Sequence, residues 1–167
     1  MERGAAIATI ASNAGVNFMK RMPTLLQLIA TPDPVAATAW CEEHADVVGD
    51  GYTFSKEAII VWTMSTSVPL IERGIRINCT SPAPTATPMM AEFQKAVGRR
   101  FMDAYPRPIG RDATPEEQAH PLIFLNSDAA AFVTGHNLVV DGGFLAGIQT
   151  GQVSMAEVMK LAPTTSA

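Results

Sequence analysis

The chain has 167 residues, enough for one domain with a core of its own. Hydrophobic residues make up 47% and charged residues 17%, a balance too apolar for a disordered chain. The net charge is -4, and the densest basic spots are only Lys20-Arg21 and Arg99-Arg100, which argues against a nucleic-acid partner.

Ala5 to Ile10 is a short apolar run closed by Ser12-Asn13-Ala14-Gly15. It reads as a strand buried on both faces, as in a parallel sheet. Asp33 before Pro34 predicts a helix start that runs to about Val47 and ends at Gly49. A second helix is predicted from Tyr52 to about Leu70. Ile75 to Cys79 reads as the next strand. Three prolines within 81–88 predict an ordered loop. Met89 to Phe101 reads as helix and 105–110 as loop. Thr114-Pro115-Glu116-Glu117 opens another helix with a capping box, running to about Asn126. Leu138 to Val140 is a short strand stopped by Asp141-Gly142-Gly143. The chain ends in Pro163-Thr164-Thr165-Ser166-Ala167, where fraying is expected.

Strands alternating with helices predict an α/β fold with a parallel sheet and right-handed crossovers. Three parallel strands make a small sheet, so the architecture reads as cut, with its partner expected before residue 1. Cys41 and Cys79 form neither a metal-binding pattern nor a disulfide framework. A reduced thiol at Cys79 in an apolar run fits a cytoplasmic protein. No stretch approaches the roughly 18 apolar residues of a membrane span.

Tyr52-Thr53-Phe54-Ser55-Lys56 sets a phenol and an ammonium one helical turn apart on one face. A free phenol, with a pKa of about 10, is a poor base at neutral pH. A cation one turn away favours the phenolate, which makes the phenol a usable acid/base for a carbonyl/alcohol pair. Ser12, at the end of the first strand, is within the same logic as a hydrogen-bonding partner for the substrate oxygen. A lone Tyr-x-x-x-Lys is weak evidence, and Ser beside Asn is ordinarily a turn or cap residue.

The surrounding order of motifs gives the pair its weight. Ile10-Ala11-Ser12-Asn13-Ala14-Gly15, Tyr52-Thr53-Phe54-Ser55-Lys56, Gly74-Ile75-Arg76-Ile77-Asn78 with Ser81-Pro82, Thr87-Pro88-Met89, Ile109-Gly110-Arg111 with Thr114-Pro115-Glu116-Glu117, Ser127-Asp128-Ala129-Ala130, Val133-Thr134-Gly135 and Val140-Asp141-Gly142-Gly143 follow one another. In that order they resemble the short-chain dehydrogenase/reductase family. The resemblance spans about Gly4 to Gly143. It implies the C-terminal half of a Rossmann-type doubly wound parallel sheet. It also implies NAD(P)-dependent hydride transfer on a carbonyl/alcohol substrate. Tyr52 would carry the proton and Lys56 would assist it and bond the nicotinamide ribose. Ser12 would orient the substrate oxygen. Pro82, Ala83, Thr85 and Thr87 would hold the nicotinamide end.

Three departures shape the expectations. No G-x-x-x-G-x-G or G-x-G-x-x-G occurs in the 167 residues, so the loop that seats the pyrophosphate is absent from them. Ser12 and Tyr52 are separated by an insertion, 16–50, which resembles one in bacterial 3α-hydroxysteroid dehydrogenase/carbonyl reductase-like enzymes. That suggests a steroid or other apolar carbonyl, or simply a segment that covers the core or blocks one oligomer surface. Ala83 stands where the family prefers Gly, a strain only if the backbone there needs positive φ.

The sequence thus divides into a strand and serine loop (1–15), the insertion (16–50), the stretch from catalytic helix to last strand (51–147) and a tail (148–167) of a single truncated domain. Such a fragment is expected to bind NAD or NADP weakly or not at all and to be inactive alone. Its uncovered sheet edge or helix face is expected to make a homo-oligomer. The alternative is a non-catalytic oligomeric remnant or interaction protein.

Overall fold

A computed structural model describes residues 1–160, apart from the side chains at 157 and 158. The expected frayed end at 163–167 lies outside the described residues. The chain forms two compact units. One comprises Met1–Pro82 with His120–Val139; the other comprises Ala83–Ala119 with the described residues from Val140 on.

In the first unit, β1 (Ala6–Ile10) leads through 3-10 turns at Asn13–Gly15 and Phe18–Arg21 into α1 (Met22–Ile29), α2 (Pro34–Glu43) and α3 (Ala45–Val48). Then follow α4 (Tyr52–Glu72) and β2 (Arg76–Pro82). The second unit carries α5 (Met89–Val97) and α6 (Arg99–Ala104). After them come α7 (Pro115–Asn126), β3 (Asn137–Val140), α8 (Phe144–Gln149) and α9 (Ala156–Met159).

The strands form one three-stranded sheet in the order β1-β2-β3, parallel as expected, with helices around it. β1 and β2 run in register from Ala6 opposite Arg76 to Ile10 opposite Thr80. Beside β2, the Cys79 amide donates to His136 O at 2.9 Å and the Gly135 amide to Ile77 O at 2.7 Å. Asn78 is fully buried and ties the same edge twice: its Nδ2 donates to Val133 O at 2.9 Å, and its Oδ1 accepts from the His136 amide at 3.0 Å. Buried Arg76 donates to Leu125 O at 2.8 Å and Ser127 O at 3.0 Å, which satisfies two carbonyls at the end of a helix.

Local chemistry explains most element ends. Asp33 accepts from the Ala36 amide at 2.9 Å and caps α2, with Pro34 in its first turn. Asp50 accepts from the Thr53 amide at 3.0 Å and so caps α4. The capping box at α7 is made as predicted. The Thr114 amide donates to Glu117 Oε2 at 2.8 Å, and the Glu117 amide donates to Thr114 Oγ1 at 3.3 Å.

The structure corrects four expectations. β1 is not buried on both faces: its residues are half-buried and Ile10 is 52% exposed, because among the described strands only β2 pairs with it. The helix expected over 34–47 breaks at His44, whose ring stacks on Trp40 at 4.1 Å and whose Nδ1 meets Trp40 O at 2.8 Å. The helix expected over 89–101 breaks at Gly98, where φ is 86°. Ser81 and Pro82 are strand rather than loop: β2 continues through them, and Ser81 Oγ donates to Asn137 Oδ1 at 2.8 Å. Pro82, which has no amide hydrogen, stands as the last strand residue, where its ladder bond is dispensable.

The insertion has a defined place. Leu25 from α1 is fully buried with Phe54 and Val61 of α4, and Phe18, Met22, Trp40, Val47 and Val48 pack around them. Those side chains of the insertion thus cover α4, while Met19, Leu26 and Val35 stay exposed. Arg21 adds a polar tie, with its Nε 3.1 Å from Oε2 of Glu57, a carboxylate only 1% exposed. Arg21 Nη1 also donates to Val47 O at 3.0 Å, and its guanidinium lies 5.8 Å from the centre of the Phe54 ring.

Two predictions follow from this core. Burial pushes the Cys79 thiol up to about 11, against a smaller opposing hydrogen bond involving Thr63. Ellman's reagent at mildly alkaline pH should therefore modify half-buried Cys41 in the native protein and Cys79 only after unfolding. Burial also raises the Glu57 carboxyl above its ordinary range, with Arg21 opposing and Asp50 reinforcing. The folded state then holds that proton more tightly than the unfolded state, so the contribution of Glu57 to stability is fullest below the unfolded value, 4.5, and is lost as pH rises through the folded one. Urea midpoints should therefore decline toward neutrality more steeply in the wild type than in Glu57→Gln; parallel curves would contradict this.

Candidate active site

Two elements of the first unit, β1 and α4, carry the predicted catalytic residues. β1 ends at Ile10 and delivers Ser12, which is 8% exposed. Ser12 Oγ accepts from the Ala14 amide at 3.2 Å and donates to Asn13 Oδ1 at 3.5 Å, so it caps the turn that follows. That turn lies hard against α4. A Cβ built on Gly15 would stand 2.8 Å from the carbonyl carbon of Lys56 and 2.9 Å from the amide nitrogen of Glu57. Only a residue without a side chain allows this approach.

Tyr52 opens α4 and is 44% exposed. Gly51 precedes it with φ 71°, the left-handed turn that lets the chain enter the helix there. Lys56, one turn on, is half-buried. Its ammonium lies 5.6 Å from the centre of the Tyr52 ring and donates to Ile10 O at 3.3 Å. The predicted spacing is therefore realised: phenol and ammonium share one face, and the ammonium is tied to the strand end that carries Ser12. β2 completes the first unit's share with Pro82.

Ala83, Thr85 and Thr87 belong to the second unit and are described within it. The Ala83 amide donates to Val140 O at 3.1 Å. No non-glycine residue described has positive φ, so Ala83 carries no strain in the place where the resemblance expects Gly. Thr85 pairs with Ala113 in a parallel bridge, and its Oγ1 donates to Ala83 O at 2.9 Å. The Thr87 amide donates to Thr85 O at 2.8 Å, and Thr87 O accepts from the Met90 amide at 2.9 Å. These bonds fix the loop's backbone from within.

The donor set fits the two ends of a dinucleotide differently. The Lys56 ammonium, beside a half-exposed phenol, suits the hydroxyls of a nicotinamide ribose. A pyrophosphate needs free amides at a glycine-rich turn from strand to helix. Among the described residues, β1 leads into the Ser12 turn and β2 into Pro82-Ala83-Pro84. β3 does lead through Gly142-Gly143 into a helix, but the Asp141 carboxylate accepts from the amides of Gly143 and Leu145 at 3.0 and 2.8 Å. That negative charge excludes an anion there, so the residues present fit the ribose and not the pyrophosphate.

Sequence reasoning missed Arg21 and Glu57. The clue lay in the helical period: Glu57 is three residues after Phe54 and three before Ile60, all on the buried side of α4.

Comparison with known proteins bears on the family and the fold. The chain is 34% identical over 159 residues to an uncharacterized short-chain type dehydrogenase/reductase of Sinorhizobium fredii, covering 94% of the chain and 24% of that protein. It is 39% identical over 94 residues to the cyclohexanol dehydrogenase of an Acinetobacter species, covering 56% of the chain and 36% of that enzyme. The chain thus spans well under half the length of these curated relatives. In fold it resembles the 3α-hydroxysteroid dehydrogenase of a Pseudomonas species, solved with NADH, at a TM-score of 0.70 and 24% identity. That likeness covers 91% of this chain and 59% of the Pseudomonas enzyme. A sequence model of a family described as enoyl-(acyl carrier protein) reductase matches residues 35–145, more than half of the chain. On that match, and with the motif order that prompted the expectation, the chain belongs to the short-chain dehydrogenase/reductase family.

Proposed function

We propose that this chain is the catalytic portion of an NAD(P)-dependent oxidoreductase that interconverts a secondary alcohol and a ketone on an alicyclic, apolar substrate. The observation that carries the reading is the tie of Lys56 Nζ to Ile10 O, which joins the phenol–ammonium pair to the strand end bearing Ser12. Tyr52 hands a proton to the carbonyl oxygen, or takes it from the alcohol. Lys56 keeps a positive charge one turn from the phenol as that proton moves. Ser12 donates to the substrate oxygen and steadies it, giving up its weak bond to Asn13 to do so. The nicotinamide cofactor, when bound, gives or accepts the hydride. Pro82, Ala83, Thr85 and Thr87 hold its nicotinamide end.

The substrate class draws on two likenesses, to a cyclohexanol dehydrogenase in sequence and to a 3α-hydroxysteroid dehydrogenase in fold. The proposal further holds that catalysis needs a pyrophosphate-binding segment which these 167 residues do not contain. It also includes a homo-oligomer, because α4 exposes Trp62, Val68 and Ile71 while β1 exposes Ile10. Sedimentation at tens of micromolar should therefore find more than a monomer.

The experiment has two arms. In calorimetry, the 167-residue chain should show no saturable NADH or NADPH binding in the micromolar range; such binding would overturn the need for a further segment. A form fused to the glycine-rich dinucleotide-binding segment of a relative should oxidise cyclohexanol or a 3α-hydroxysteroid. There, Tyr52→Phe should lower kcat by at least about a hundredfold. Activity that survives Tyr52→Phe would overturn Tyr52 as the proton carrier.

A further inference from the structure

Glu57 is the one carboxylate of α4 that is buried, and the proton relay of Tyr52 and Lys56 makes no use of it. Two contacts from a single stretch of chain meet on it. Its backbone amide lies beneath Gly15, close enough that a Cβ there would stand 2.9 Å away. Its side chain meets Arg21, six residues later, at 3.1 Å. Oε2 has no well-aligned hydrogen bond among the described residues, so the contact rests on opposite charge rather than on bond direction. Arg21 is itself fixed from two other sides, by Val47 O at 3.0 Å and by the Phe54 ring at 5.8 Å.

Gly15 closes the turn that Ser12 caps, and Arg21 closes the next 3-10 turn. A stretch held at both points cannot slide along α4. Without Arg21 the stretch keeps its place on the helix through the close approach of Gly15 and the apolar contact of Phe18, neither of which has a preferred direction along α4. We propose that Arg21 is a positioning residue: through Glu57 it presses the turn that carries Ser12 against Lys56. The inference rests on the roles given above to Ser12, Tyr52 and Lys56. Its novelty is that the insertion, besides covering α4, sets the serine.

The arrangement can be tested without cofactor by hydrogen exchange on the 167-residue chain. The reporters are the amide of Ala14, bonded to Ser12 Oγ at 3.2 Å, and that of Gly15, bonded to Ser12 O at 3.0 Å. Arg21→Met alone leaves a buried carboxylate uncompensated and destabilises the fold as a whole. The double variant Arg21→Met with Glu57→Met removes both charges and keeps apolar stems in the same space. In it, Ala14 and Gly15 should exchange about tenfold faster or more, while Ile60 and Val61 keep wild-type rates. Unchanged rates at Ala14 and Gly15 would overturn the proposal. So would a rise matched at Ile60 and Val61, which marks general loosening. In a cofactor-competent form, the double variant should lower kcat with KM retained. Activity insensitive to Tyr52→Phe would sink the functional reading and leave the exchange result standing.

Discussion

The close approach of Gly15 to α4 is the constraint on which the rest of the first unit depends. Backbone meets backbone there, with no room for a methyl group between Gly15 and the Lys56–Glu57 peptide. The distance fixes where β1 ends relative to the helix. It brings Ile10 O within reach of the Lys56 ammonium, and it sets Ser12 two residues from that carbonyl. The in-register pairing of β1 with β2 then fixes the height of the same strand from the other side. Sheet register and helix contact therefore agree on one location for the serine turn. Rigid elements of this kind hold reacting groups better than free loops do.

The insertion acts on this constraint through two kinds of force. Apolar burial supplies most of the attraction: a fully buried leucine such as Leu25 contributes about 2 kcal/mol against its exposed state. Burial is not directional, however, and a greasy contact between two helices tolerates small slides. The stack that runs from His44 over Trp40 to Phe54, with the Arg21 guanidinium 5.8 Å from the Phe54 ring centre, narrows the choice. The Arg21–Glu57 pair narrows it further at a cost, since a carboxylate had to leave water. Buried ion pairs often contribute little net stability, and specificity of arrangement is one reason to keep one. Here the pair sits beside Lys56, where arrangement matters most.

Much of this was legible in the residues, for reasons that can be named. Helix starts announced themselves where a side chain does the capping, at Asp33 and at Thr114 with Glu117. The Tyr52–Lys56 pair was legible because helical spacing alone makes the two meet. What escaped depends on partners distant in sequence. Ala5 to Ile10 looks like a strand covered on both faces, yet burial depends on which strands flank it, and only β2 does so among those described. Trp40 and His44 are unremarkable in a helix until they stack and end it. Glu57 draws no notice in the sequence; a cation from Arg21, far away in the chain, accompanies it in the core. Ser12 follows the ordinary reading of a Ser beside Asn, since its hydroxyl caps its own turn.

The chemistry and the holding of the cofactor are separable in this fold, and that separation governs what the chain can do. A phenol, an ammonium and a hydroxyl can only act on a carbonyl that sits beside a hydride source at contact distance. The advantage of such placement comes from entropy already spent when both reactants are bound. Lys56 can hold a ribose, but one ribose contact cannot offset the freedom lost by a whole dinucleotide. The amides of a glycine-rich turn and the positive end of its helix provide the remaining attraction in dinucleotide sites of this kind. The corresponding turn after β3 has been given instead to Asp141, whose carboxylate fills the amides an anion would need. On the proposed function, Ser12, Tyr52 and Lys56 supply the chemistry, and a surface that brings the cofactor to them supplies the rest of the binding.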